Sequence, residues 1–172
     1  MTAFIGRFTL LLATIPAPSA MPPGLVVSIV GLPDGTTWTL GRKAVGRPFL
    51  VQILLANEGD GPIRLWDPKS TEGMGCPSVV LTDSAGKATV LKPVPMPRAG
   101  GVPTFVTLDP GKTLILELEL LRLVGPMSLA PGRYTLTAIY QNRFESSGQV
   151  ANVWTGKIQG ELKRITVVLP EA

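Results

Sequence analysis

Hydrophobic and polar positions alternate with a period of two along much of the chain, and no stretch carries a capped helical repeat. Residues 113–121 are the cleanest case. Leu114, Leu116, Leu118 and Leu120 fall on one side and Thr113, Ile115, Glu117 and Glu119 on the other, the pattern of a half-buried strand. Residues 48–57 set Phe49, Val51, Ile53 and Leu55 against Leu50, Gln52, Leu54 and Ala56; two largely apolar faces predict a central strand covered on both sides. Residues 25–31 predict a first strand ended by Pro33-Asp34-Gly35, and residues 36–40, with Trp38, a short second one. Residues 62–66 predict a strand that pairs as a hairpin with 48–57 across the turn from Asn57 to Gly61. Residues 78–82 and 87–91, around Asp83 and Gly86, give the clearest hairpin signal.

Between these elements, residues 67–77 read as a polar loop and 92–103 as a proline-rich extended segment. Residues 104–108 rejoin the sheet before the Asp109-Pro110-Gly111-Lys112 turn. The chain ends on a pair: a strand fed by Pro131-Gly132 and running through Tyr134 to Tyr140, then, after a polar excursion containing Trp154, a last strand over 161–169. The total is about eight or nine strands and no substantial helix. The fold class expected is therefore all-β, an immunoglobulin-like antiparallel two-sheet sandwich.

Composition narrows what such a sandwich can do. At 172 residues the chain suits one domain with a core of its own. Residues 1–20 have the layout of a signal peptide: Arg7, an apolar run from Phe8 to Ile15, then small residues and prolines, with cleavage expected after Ser19 or Ala20. Residues 21–172 then form the single β-sandwich domain, secreted or periplasmic, with no membrane span in the mature chain; a true start at Met21 would instead make the product cytoplasmic. The net charge of +4 comes from basic residues scattered without a run of three, which gives no nucleic-acid footprint. The chain has no histidine, so Ser-His-Asp and Cys-His arrangements and imidazole-ligated metals are excluded. Its one cysteine, Cys76, has no partner for a disulfide, a redox pair or a zinc site and reads as a buried thiol.

In its order of elements, the stretch 48–140 resembles the secreted immunoglobulin-like sandwiches of bacteria, and among them the BsuPI-type proteinase inhibitor domain. The residues that carry the resemblance are Asn57 followed by Gly59-Asp60-Gly61-Pro62, the Val80-Leu81-Thr82-Asp83 and Gly86-Lys87 hairpin, the Leu108 to Lys112 turn, and Leu129, Pro131, Gly132 and Tyr134. Tyr134 is similar to the tyrosine-corner residue of such domains, whose hydroxyl bonds nearby backbone. Leu136 stands where an antibody domain has its second cysteine, so no inter-sheet disulfide is expected. The resemblance implies an inhibitor as one alternative, with the rigid 92–103 segment and Arg98 as its contact loop.

The candidate chemistry is sparse. Glu117 and Glu119 share a strand face about 7 Å apart, which allows a carboxylate-based glycosidase as a second alternative, against the plain reading of a solvent face. Asn57, Glu58 and Asp60 bring oxygens together in a turn too short to wrap calcium. The excursion over 141–157 is longer than a connection requires and carries Arg143, Phe144, Glu145 and Trp154. Arg and Trp dominate binding hot spots, although Trp154 can equally begin the last strand and pack on the sandwich. The expectation is a non-enzymatic binding or structural module at the bacterial cell envelope, with no cofactor and no metal, that meets a protein or glycan through Asn57, Glu58, Asp60, Arg143, Phe144, Glu145 and Trp154.

Overall fold

A computed structural model describes residues 24–39, 49–93, 104–124, 129–143 and 152–168. Within them the chain forms β1 (Leu25–Val30), β2 (Thr36–Thr39), β3 (Leu50–Asn57), β4 (Ile63–Trp66), α1 (Thr71–Met74), β5 (Pro77–Asp83), β6 (Ala88–Leu91), β7 (Phe105–Leu108), β8 (Thr113–Glu119), α2 (Leu120–Val124), β9 (Gly132–Asn142) and β10 (Gly156–Val168). The fold is an immunoglobulin-like β-sandwich. One sheet runs β1-β3-β8, the facing sheet β2-β10-β9-β5-β6, and a ribbon pairs β4 with β7. The expected signal peptide, most of the 92–103 segment with Arg98, and the site candidates Phe144 and Glu145 lie outside the described residues.

Alternation decides which side chains make the core. Val51, Ile53 and Leu55 of β3 and Leu116 and Leu118 of β8 face Val79, Leu81, Leu136, Ala138 and Tyr140 of the second sheet, all buried. Trp38 of β2 stacks on Phe49 with ring centroids 4.4 Å apart and closes one flank of the interior. The β5–β6 hairpin forms with Val80 opposite Val90, as the pattern predicts. Tyr134 donates its hydroxyl hydrogen to the carbonyl of Ala130 at 2.7 Å, four residues upstream, the bond expected of a tyrosine corner.

Several expectations are corrected. Ten strands occur among the described residues, where eight or nine were expected. β3 and β4 do not form a hairpin: β3 sits between β1 and β8, while β4 pairs with β7, Ile63 opposite Leu108. The reason is burial. Ile63, Leu65 and Trp66 of β4 are all buried, and a turn closed by the Asn57 side chain carries the strand away from β3 to reach that position. β3 is central in its sheet, but only one face is covered: Leu50 is 46% exposed and Gln52, Leu54 and Ala56 are half-buried. Inside the expected 67–77 loop, Ser70 caps the single turn of α1 by accepting from the Gly73 amide at 3.0 Å. The strand read over 113–121 stops at Glu119, where α2 begins.

Two contacts place the first strands on the last one. Asp34 accepts from the Arg164 amide at 2.7 Å and from its Nε at 2.9 Å, and their ion pair is 2.7 Å long. This holds the Asp34 carboxyl below its ordinary range and starts the parallel pairing of β2 with β10, Thr36 opposite Ile165. Farther back along β10, the register shifts between Gln159 and Leu162, and Gly160 lies against β1. A Cβ on Gly160 would stand 2.6 Å from the Val27 carbonyl oxygen, a backbone atom that cannot swing away. Replacing Gly160 with Ala should therefore push the sheets apart locally and cost about 1–3 kcal/mol, read as a lower urea midpoint with an unchanged slope.

Candidate functional site

The turn after β3 is assembled around Asn57, which is 1% exposed. Its Nδ2 donates to the Gly61 and Leu108 carbonyls, both at 2.8 Å, and its Oδ1 accepts from the Gly59 amide at 3.0 Å. The Asn57 amide donates to the Lys112 carbonyl and its own carbonyl accepts from Gly111, at 3.0 and 2.8 Å. The neighbouring Glu58 amide donates to Gly24 at 2.6 Å. Gly24 itself, at φ +131° and tight against Gly59, has a conformation and a spacing that suit only glycine.

This corrects one site expectation. Asn57 is turned inward, its side chain taken up by the Leu108 and Gly61 carbonyls and the Gly59 amide. Glu58 and Asp60 do project outward from the turn and are exposed. Trp154 is corrected likewise. It is 4% exposed and packs on Tyr140 at a centroid distance of 5.6 Å, while its amide donates to Arg64 and its carbonyl accepts from Asn142 Nδ2. The indole is core, in keeping with the sheet-packing reading of that position. A parallel bridge between Arg64 and Val153 sets this returning segment beside the strand that leaves the 58–61 turn.

Arg143, the last described residue of its stretch, is exposed and lines a different feature. A groove of about 520 Å³ crosses the outer face of the five-stranded sheet. Along β9 and just past it, Ile139, Gln141 and Arg143 recur at every second position and so share this face. Gln141 lies opposite Lys157 of β10, and its amide donates to the Cys76 carbonyl beside β5. Ser78 and Ile139, each 8% exposed, form the floor, and Lys92 closes the far side after β6. Lys92 and Lys157 come from residues 65 positions apart, in strands that sequence reading could not order, so no local motif announces them.

The groups considered for chemistry are otherwise engaged. Glu117 accepts from Gln52 at 2.8 Å, and Glu119 pairs with Arg122 at 2.7 Å, which makes them the solvent edge of β8. Cys76 is 2% exposed and donates its thiol hydrogen to the Glu72 carbonyl at 3.3 Å. Burial pushes the thiol up from 9.0 to about 11, and burial next to Cys76 pushes the Tyr140 hydroxyl up as well.

Two outcomes are expected. Changing Asn57 to Leu removes its bonds to the Gly61 and Leu108 carbonyls and to the Gly59 amide and should cost about 2–4 kcal/mol in chemical denaturation. Asn57→Asp should cost more at neutral pH, since a carboxylate would face those carbonyls and have its proton affinity raised there, and should recover part of the loss as the pH falls toward about 4, where the unfolded aspartate also protonates. Cys76 should resist a thiol-specific disulfide reagent in the folded protein at pH 8 and react at once in urea. Because its folded value lies above its unfolded one, the thiol's contribution is present below pH 9.0 and is lost as the pH rises toward about 11.

No family model and no curated protein matches the chain. Among solved structures, it is similar to the ASH/PapD-like domain of human CEP192 (PapD-like domain 7), at 13% identity and a TM-score of 0.30, covering 95% of this chain and 99% of that one.

Proposed function

We propose that this chain is an exported, non-catalytic binding module of the bacterial cell envelope, acting through the end of the sandwich where the 58–61 turn meets the segment returning to β10. The observation that carries this reading is the contrast at that end. Asn57 fastens the turn internally through three side-chain hydrogen bonds, so Glu58 and Asp60 are displayed on a rigid base rather than on a free loop. Rigid display lowers the ordering cost of association, which is what a contact surface needs. Histidine-based catalysis has no residue to use, and the one thiol is buried and held protonated. Export is inferred from the layout of residues 1–20.

Fractionation of the native host, followed by intact mass measurement, tests the location. A chain shortened by about twenty residues outside the cytoplasm is the expected result, and a cytoplasmic product starting at Met1 or Met21 would overturn it. Envelope cross-linking with the wild type and with Glu58→Ser/Asp60→Ser then tests the surface. The variant should keep its melting temperature and lose the specific cross-link. Equal cross-linking by the two proteins would remove this end from the function, and inhibition of a protease panel by the intact protein would put the inhibitor reading in its place.

A further inference from the structure

Three of the grooves in the described surface differ in charge. The one at the Asp34–Arg164 ion pair also contains Asp83 and Arg133, and the one beside β8 contains Asp67 and Glu117 with Lys69; both mix signs. The groove across β6, β5, β9 and β10 is lined by Lys92, Arg143 and Lys157 and, among the described residues, by no carboxylate. Among the described residues none of these three cations is in an ion pair. The carboxylate nearest in sequence to the lining is Glu72, next to Thr71, and it does not line the groove. Among the described residues, three cations without an ion pair meet in an open groove that holds no anion, and such a field favours a negatively charged occupant.

The spacing of the cations says what shape that occupant has. Lys92 follows β6 and Lys157 lies in β10, three strand intervals away, so their backbones stand about 15 Å apart at ~4.8 Å per interval, with the offset along the strands included. A single compact anion spans a small part of that distance. An extended polypeptide covers it in four or five residues at ~3.3 Å each, with acidic side chains recurring on one face. Between the cations, Ile139, Val90 and Pro93 offer apolar contact for intervening side chains, and Ser78 and Gln141 offer hydrogen-bonding groups. Val90, on the edge strand β6, is 60% exposed and so accessible to such a contact. Among the described residues no aromatic ring lines the groove.

We propose that this groove is a docking site for an extended acidic segment of a partner protein, read by Lys92 and Lys157 at its two sides and by Arg143 at its end. It extends the binding reading to a second surface, and it shares only Arg143 with the residues expected there from the sequence. The Cys76 thiol at the groove wall is 2% exposed, and the docking described is non-covalent.

The test uses the whole protein and a fluorescent, end-blocked octapeptide alternating glutamate and valine, with a glutamine-for-glutamate peptide as its neutral counterpart. Anisotropy titrations should show binding of the acidic peptide that weakens from about 25 to about 250 mM salt, with the neutral peptide silent. Lys92→Gln/Lys157→Gln should weaken binding about tenfold or more and Lys92→Glu/Lys157→Glu should abolish it. Both variants change exposed side chains and should keep the wild-type melting temperature. Methyl resonances of Val90 and Ile139 should shift on titration while that of Thr82, in the charge-mixed groove, stays still. Absence of binding, equal binding by the Gln variant, or shifts confined to the other grooves would overturn the proposal. So would tighter, variant-sensitive binding of a sulfated oligosaccharide, of phosphatidylglycerol vesicles or of pyrophosphate. The Glu58 and Asp60 cross-links are read separately, so either surface can fail while the other stands.

Discussion

The buried amide of Asn57 is the point at which the sandwich is tied together. Its side chain reaches the end of β7 through Leu108 and the turn through Gly59 and Gly61. Its backbone closes the 109–112 turn that leads into β8, and the next residue holds Gly24 at the start of β1. β1, β3, β4, β7 and β8 therefore converge on one residue. A net hydrogen bond is worth only about 1 kcal/mol, but a buried carbonyl left without a donor costs about 1–3. The arrangement is thus close to all-or-none, and other residues cannot replace a group that donates twice and accepts once from a fixed position.

This explains which parts of the architecture were legible in the sequence. Two of the four features that carried the resemblance to bacterial immunoglobulin-like sandwiches, the turn from Asn57 to Pro62 and the one from Leu108 to Lys112, looked like independent pieces of turn chemistry. In the structure they are two halves of one hydrogen-bonded unit. The β5–β6 hairpin and the Tyr134 corner were legible for the same reason: each is closed by contacts within a few residues. The partner of β4 was not. Adjacency in sequence and a Gly-rich turn favoured a hairpin with β3, whereas burying Ile63, Leu65 and Trp66 required β7, some forty residues later. The parallel docking of β2 on β10 was equally hidden, since it depends on Asp34 meeting Arg164 across 130 positions.

The candidate site was legible only in part, and for a related reason. Residue type marked Asn57 and Trp154 as recognition residues, but type does not report which way a side chain points. Asn57 is turned inward by carbonyls that need donors, and Trp154 by a backbone anchored at both its amide and its carbonyl. Glu58 and Asp60, on either side of Gly59 in the same turn, are exposed. Lys92 and Lys157 looked like ordinary scattered charge. They acquire meaning only when β6, β5, β9 and β10 lie side by side, an order that no stretch of the chain encodes locally.

β9 joins these two levels of organisation. It is the middle strand of the larger sheet, and its alternation splits its side chains between two tasks: Leu136, Ala138 and Tyr140 go to the core, Ile139, Gln141 and then Arg143 to the groove. A change at an inward position acts through packing, and one at Gln141 or Arg143 acts on the surface with little effect on the core. A one-residue slip of register would exchange the two sets, for instance putting Gln141 in the inward place of Tyr140, opposite Pro77. The Tyr134 corner and the Gln141 bond to Cys76 hold the strand near its two ends, so the register is fixed by local bonds as well as by burial. The precision of the outer groove is thus inherited from the core, because the same strand cannot be correct on one face and displaced on the other.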